Sequence, residues 1–199
     1  MILIEQTQVP DGALPVAEFR DHLQLGSGFA DDGLQDAVLI AQLRAALAAV
    51  EGETGKVILP RTFKYVVTAW RDAARQVLPV APVSMVQSLV ITDLNDGEEV
   101  IDAGTYRLLA DAHSPEIFAR GWSLPTIPVG GTAEIVFDAG YGAGWDDAPG
   151  DLRQAVLMLA AHHYENRSAS TEKARALPMG VAAICARHKP IRLFGGGRR

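Results

Sequence analysis

The sequence predicts an α+β protein: a helical bundle core made of a long helix at about 32–51 and a second at about 148–167, with an antiparallel β subdomain inserted between them and a flexible carboxyl-terminal tail. Three observations predict it. Both outer thirds repeat apolar residues at helical spacing; residues 57–141 change to β-branched and aromatic types interrupted by Pro and Gly; and the ending RLFGGGRR sets one apolar knob among glycines and arginines, too little to fold by itself. The expected organisation is a single domain over 1–199, with helical segments 14–56 and 146–187, a β-rich insertion 57–145 and a tail 188–199.

Taken in order, LPVAEFRDHLQL (14–25) puts Val16, Phe19, His22 and Leu23 at helical spacing behind a proline suited to a first turn, so it predicts a short amphipathic helix. GSGFADDG follows as a loop. Asp31 and Asp32 can cap the long helix, and Gly52 and Gly55 can stop it. That helix carries two apolar stripes, one through Leu34, Val38, Ala41, Ala45 and Ala48 and another through Ile40, Leu43, Leu47 and Val50. A helix apolar over so much of its girth needs cover on more than one side. The pattern leaves open whether the chain's own elements or a neighbouring subunit supply it.

In the β-rich part, RTFKYVVTAW alternates Phe63, Tyr65 and Val67 against Lys64, Val66 and Thr68, as a half-buried strand should. VQSLVITDL, NDG and EEVI form a hairpin signal with Asp96 and Gly97 at the turn, while TYRLL and AEIVFDAGY supply further strands. Residues 110–132, with three prolines, Phe118, Trp122 and Gly130-Gly131, read as one long irregular loop of functional or interfacial kind. Pro149 opens the second long helix, with Leu152, Val156, Leu159, Ala160 and His163 on one face. Pro178 starts a short helix to about Arg187, and Pro190 ends it.

At 199 residues the chain can bury one sizeable core without metal or disulfide staples. Its apolar fraction of 48%, charged fraction of 21% and mean hydropathy of +0.10 are globular values with an apolar lean that a large interface would explain. The lone Cys185 excludes an intrachain disulfide and favours assembly in a reducing cytoplasm. The start MILIEQTQVPDG reads as neither signal peptide nor anchor, and no run approaches the roughly 18 apolar residues a membrane helix needs. A net charge of −6 argues against gripping nucleic acid over a broad surface, though not against DNA passing nearby.

Catalytic signals are weak. His162 and Glu165 lie at i and i+3 and could share a metal with a distant third ligand such as His113 or His188, but no zincin or paired Glu-x-x-His pattern completes the set. His163 fits a hydrogen-bonded core or interface histidine. GYGAGWDDAPG follows a strand and precedes a helix like a phosphate loop, yet Asp146 and Asp147 stand where phosphate would sit and no Lys-Ser/Thr follows; acidic capping explains it better. Cys185 fits a buried thiol. Arg198 and Arg199 could touch DNA phosphates or dock in an acidic groove on a protein partner. No cofactor or metal is expected.

The ordered segments PVAEFRDHLQL, DDGLQDAVLIAQLRAALAAVEGETGK, AEIVFDAGYG, PGDLRQAVLMLAAHHYENR and LPMGVAAICARHKPIR, spread over nearly the whole chain, resemble the head-to-tail connector, or adaptor, proteins of long-tailed phages, prophages and gene transfer agents. The resemblance implies a non-enzymatic structural subunit of a virion or phage-like particle neck, assembled in the bacterial cytoplasm into a ring, commonly of twelve copies. Its implied partners are the portal protein above, a stopper or tail-terminator protein below, and its own copies, with DNA passing through the lumen unbound and no membrane involved. It further implies subunit contacts at Leu34, Val38, Leu43, Leu47, Tyr164 and Arg167. Portal docking would fall to Pro190, Ile191, Arg192, Leu193, Phe194, Arg198 and Arg199. The GGGRR ending departs from the family pattern. Another neck component, stopper or terminator, and a metal-dependent hydrolase using His162 and Glu165 are the alternatives. The loop 110–132 and the Asn95–Gly97 turn are the candidates for the tail-side contact or the lumen.

Overall fold

A computed structural model describes residues 1–25, 35–166 and 177–190. In chain order its strands are β1 (Ile2–Glu5), β2 (Arg61–Val67), β3 (Arg75–Val77), β4 (Val83–Thr92), β5 (Glu98–Val100), β6 (Tyr106–Leu109), β7 (Glu116–Ala119) and β8 (Thr132–Ala139). Its helices are α1 (Val16–His22), α2 (Asp36–Thr54), α3 (Gly150–Glu165) and α4 (Met179–His188).

Alternation builds the sheets. β2 buries Phe63, Tyr65 and Val67, and β8 buries Ala133, Ile135, Phe137 and Ala139, leaving the intervening residues half-exposed. The two strands pair antiparallel with Phe63 opposite Phe137, whose rings stack at 5.9 Å between centroids. Around them forms a five-stranded antiparallel sheet in the order β1-β2-β8-β4-β5. A second antiparallel sheet runs β3-β7-β6. Leu78, Tyr106 and Ile117 beside the small sheet share one apolar cluster with Leu89, Ile91, Ile135 and Phe137 of the large one. Of the two turn residues expected to need positive φ between β4 and β5, Asp96 has it (+61°) and Gly97 does not.

Three strands lie where the sequence signals none. β1 has no buried residue, so it carries no alternation to read. β3 is three residues long, and β7 breaks the supposed 110–132 loop into irregular segments at 110–115 and 120–131.

The helices close over a separate cluster. α2 buries Leu39, Leu43, Ala46, Leu47 and Val50, the i, i+4, i+7, i+8, i+11 set of one helical face, against Leu152, Ala155, Val156, Leu159 and Ala160 of α3, Phe19 of α1 and Val181 and Cys185 of α4. Gly55, at φ +67°, ends α2 by donating its N–H to the Glu51 carbonyl at 2.8 Å; Gly52 sits inside the helix and does not stop it. The proposed caps Asp31 and Asp32 lie outside the described residues, and Gln35 precedes the first turn.

A polar hinge joins the two halves. Arg61, at the start of β2, donates to Glu51 near the end of α2 and, at 3.0 Å, to Glu5 of β1, while Glu51 also accepts the Ile58 N–H at 2.7 Å. Burial pushes the Glu51 carboxyl up, against the pull of Arg61. Lys56 is buried beside it, donating to the Ala112 carbonyl and lying 3.1 Å from His113 Nδ1; burial lowers its pKa. Sequence alone would put such a lysine in water.

Candidate functional site

The two stripes of α2 have opposite fates. Leu43 (0% exposed) and Leu47 (4%) belong to the chain's own core: Leu43 has no free surface to offer a neighbour, against its expected place at a subunit contact, and Leu47 keeps only the little that lines the cleft beside Ala48. Val38 is 41% exposed, and Ala41, Ala45 and Ala48 are exposed with it at spacings of three and four. Leu34 and Arg167 lie outside the described residues. Tyr164 is half-buried on α3, packed against the helical cluster. Beside Ala48 an open cleft of about 470 Å³, lined by Glu5, Gln8, Val9, Arg44, Leu47 and Ala48, continues the stripe toward β1. Arg44 spans its wall, donating to the Val9 carbonyl at 2.7 Å and to Asp11 at 2.5 Å.

The root of the tail is pinned. Asp151, in the first turn of α3, receives His188 at 2.8 Å and Arg187 at 3.4 Å from the last turn of α4, and Lys189 pairs with Glu53 of α2 at 2.5 Å. Burial pulls the Asp151 carboxyl up, but the hydrogen bond and charge of His188, the Leu152 N–H and Arg187 together hold it below the usual carboxylate value. Pro190 follows, exposed. Ile191, Arg192, Leu193, Phe194, Arg198 and Arg199 lie outside the described residues.

The most exposed large apolar side chains of the β-rich insertion among the described residues are Trp122 (99%), Val129 (97%), Leu94 (73%) and Val100 (73%). Leu94 lies against Gly130, the residue after Val129, since a Cβ on Gly130 would lie 2.9 Å from Leu94 Cδ1. The chain between β7 and β8 is tied back by Leu124 N–H to the Ala73 carbonyl at 2.7 Å and by the Trp70 indole N–H to the Pro125 carbonyl at 2.6 Å.

The residues proposed for metal chemistry are not brought together. His113 is engaged with Lys56, His188 with Asp151, and His162 with Asn166, whose amide nitrogen lies 3.2 Å from Nδ1. Among the described residues no group of three or more His, Cys, Asp and Glu could hold a metal ion. His163 is half-buried, its pKa lowered by burial and by His162. Cys185 is buried, and burial pushes its thiol up, away from the reactive thiolate. In the glycine-rich turn Asp147 accepts the Gly144 N–H at 3.0 Å, and the Trp145 indole donates to Glu18 of α1 at 2.7 Å, so this segment closes the helical layer. No helix among the described residues is long and apolar enough to cross a membrane.

No protein-family model matches the chain, and no curated protein does. Solved structures do. A chain in the neck of an empty GTA particle computed with C6 symmetry is 49% identical, with 98% of this chain and 99% of that one covered, at a TM-score of 0.88. A chain of the virion of a native gene transfer agent (GTA) particle is also 49% identical over 98% and 99%, at 0.86. One in the neck of a native GTA particle computed with C12 symmetry is 45% identical over the same shares, at 0.84.

Proposed function

We propose, from the premise that this chain belongs to the family of head-to-tail neck proteins of gene transfer agent particles, that it is the adaptor of such a neck: a structural subunit, not an enzyme, that forms a ring beneath the portal. The observation that carries this is end-to-end likeness to a chain from a neck computed with twelvefold symmetry. In a ring of that kind each copy meets one neighbour with one face and the other neighbour with another.

The exposed stripe of Val38, Ala41, Ala45 and Ala48 suits one such face, because small side chains allow close approach of backbones. Tyr164, half-buried on α3, is the other described residue we assign to the subunit contact, with Leu34 and Arg167 expected there from the sequence. With α2 and α3 as the bundle core of the ring wall, residues 191–199, which follow the pinned end of α4 in sequence, would be the portal-docking segment. There Ile191, Leu193 and Phe194 would supply apolar anchors and Arg192, Arg198 and Arg199 the charge. Leu94, Trp122 and Val129 are suited to the stopper or tail-terminator side. DNA would cross the lumen without specific contacts, in keeping with a net charge of −6.

Electron microscopy of the purified protein mixed with its portal tests the assignment. A ring at the narrow end of the portal is the expected result. Binding only to a portal already carrying another ring, or only to tails, would make the chain a stopper or terminator instead.

A further inference from the structure

The outer face of the three-stranded sheet is basic in a chain that is acidic overall. Arg75 on β3 and Arg107 on β6 both stand opposite Phe118 on β7, so the three form one cross-strand row, while Ile117 in the next register turns into the core. The Arg107 guanidinium lies 5.8 Å from the Phe118 ring centroid. Arg75 has only loose partners, Asp72 at 3.7 Å and Glu116 at 3.9 Å. Arg71, Arg107 and Arg120 are exposed, and among the described residues none has a carboxylate partner. Trp122 stands bare just beyond Arg120.

Opposite charges lie elsewhere on the same chain. In the β4–β5 hairpin Asp93 is spent on the Asn95 and Gly97 N–H groups at 2.7 and 2.8 Å, but Asp96, Glu98 and Glu99 are exposed and unpaired among the described residues. β5 is the outermost strand of its sheet, so its far edge is open.

We propose that the arginine face of one copy receives the β4–β5 hairpin of the next copy in the ring, a heterologous contact in which Arg75, Arg107 and Arg120 meet Asp96, Glu98 and Glu99. This rests on the ring reading and adds a second contact to the α2 stripe. Each copy then offers its hairpin to one neighbour and its arginine face to the other, which is what ring closure requires. The complement within the chain favours this occupant over nucleic acid, since four arginines amid a net charge of −6 hold phosphate only weakly.

Charge swapping with the full-length chain and its portal tests the contact. Arg75→Glu with Arg107→Glu, and separately Glu98→Lys with Glu99→Lys, should each cut ring yield by at least about tenfold at low salt, and all four together should restore it to within about threefold. Circular dichroism confirms folding of each variant. In a second readout, Glu98→Cys with Arg107→Cys should give a ladder of cross-linked multimers under oxidation. A wild-type ring indifferent to all four substitutions overturns this contact alone, as does loss without rescue. Loss of filter-bound DNA by the arginine variant, with no rescue, would assign the face to nucleic acid and overturn the contact too. A wild-type chain that forms no ring overturns the ring reading and this contact with it.

Discussion

Replacing Val38 by Asp separates what α2 does for its own subunit from what it does for a neighbour. Val38 is the third residue of α2, where a carboxylate faces the positive end of the helix dipole and gains about 0.3–1 kcal/mol, and Val and Asp have similar helix propensity. In the isolated subunit the change should therefore alter stability by no more than about 1 kcal/mol in either direction, a shift in Tm within about 4 °C for a chain of this length. In the ring the sign reverses. Covering the 41% of Val38 still exposed is worth about 0.6–1.2 kcal/mol per contact, taking full burial of a valine as roughly 1.5–3. A buried, unpaired Asp costs several kcal/mol at each contact instead, roughly twelve times over in a twelvefold ring. Leu43→Ala is the control. Removing a fully buried leucine should cost the isolated subunit about 2–5 kcal/mol while leaving the exposed face intact. Urea unfolding of the subunit and electron microscopy of portal mixtures read the two effects separately. Rings of normal yield from Val38→Asp, or a stability loss in it matching that of Leu43→Ala, would refute the assignment of this face to a neighbour.

Other substitutions bear on the frame and the tail. Gly140 has φ +143°, and a Cβ there would lie 2.7 Å from Pro60 Cα, a backbone atom, so Gly140→Ala should lose about 2–4 kcal/mol in urea unfolding; a loss below about 0.5 would mean that the junction between β8 and α3 yields freely. The depressed pKa of Asp151 means that its contribution to stability is present above its unfolded value, near 3.8, and is lost as pH falls through the lower folded value. Asp151→Asn should thus lower Tm at pH 7 by up to about 3 °C, with the difference vanishing once the pH is well below the lowered folded value, and a difference that persists in acid would refute the ion-pair origin. Truncation after Ile191 should leave a folded subunit with unchanged Tm but no binding to the portal, measured by co-sedimentation; normally tailed particles from the truncated gene would sink the docking role of residues 192–199.

What the sequence disclosed follows from how much of each element is buried. β2 and β8 are central strands with one dry face, so alternation of Phe63, Tyr65 and Val67 or of Ile135 and Phe137 is visible in the residues themselves. β1 is an edge strand exposed on both faces and carries no such imprint. β7 escaped because its four residues follow closely on Pro115 and precede Gly121, the punctuation of a loop. For α2, periodicity grouped Leu43, Leu47 and Val50 correctly but could not say which of two apolar faces met the chain's own α3, and it passed over Leu39, which is wholly buried. The Glu51–Arg61–Glu5 hinge was illegible because its members lie far apart in sequence and look like surface charges.

The composition of the exposed α2 stripe bears on how the proposed ring could form. Ala41, Ala45 and Ala48 each present little apolar area, so a free subunit does not carry the large contiguous patch that drives nonspecific association. The same smallness limits each contact to a few kcal/mol, comparable with or below the roughly 4–15 kcal/mol that immobilising a free partner costs. If residues 191–199 dock on the portal as proposed, successive subunits there would be held at high local concentration, which would remove much of that cost, and the last copy in would complete two contacts at once. On that proposal, weak lateral faces combined with axial docking would make ring closure depend on the template. It follows that excess tail peptide covering residues 188–199 should disperse rings by competing for the portal, even though it touches no lateral face.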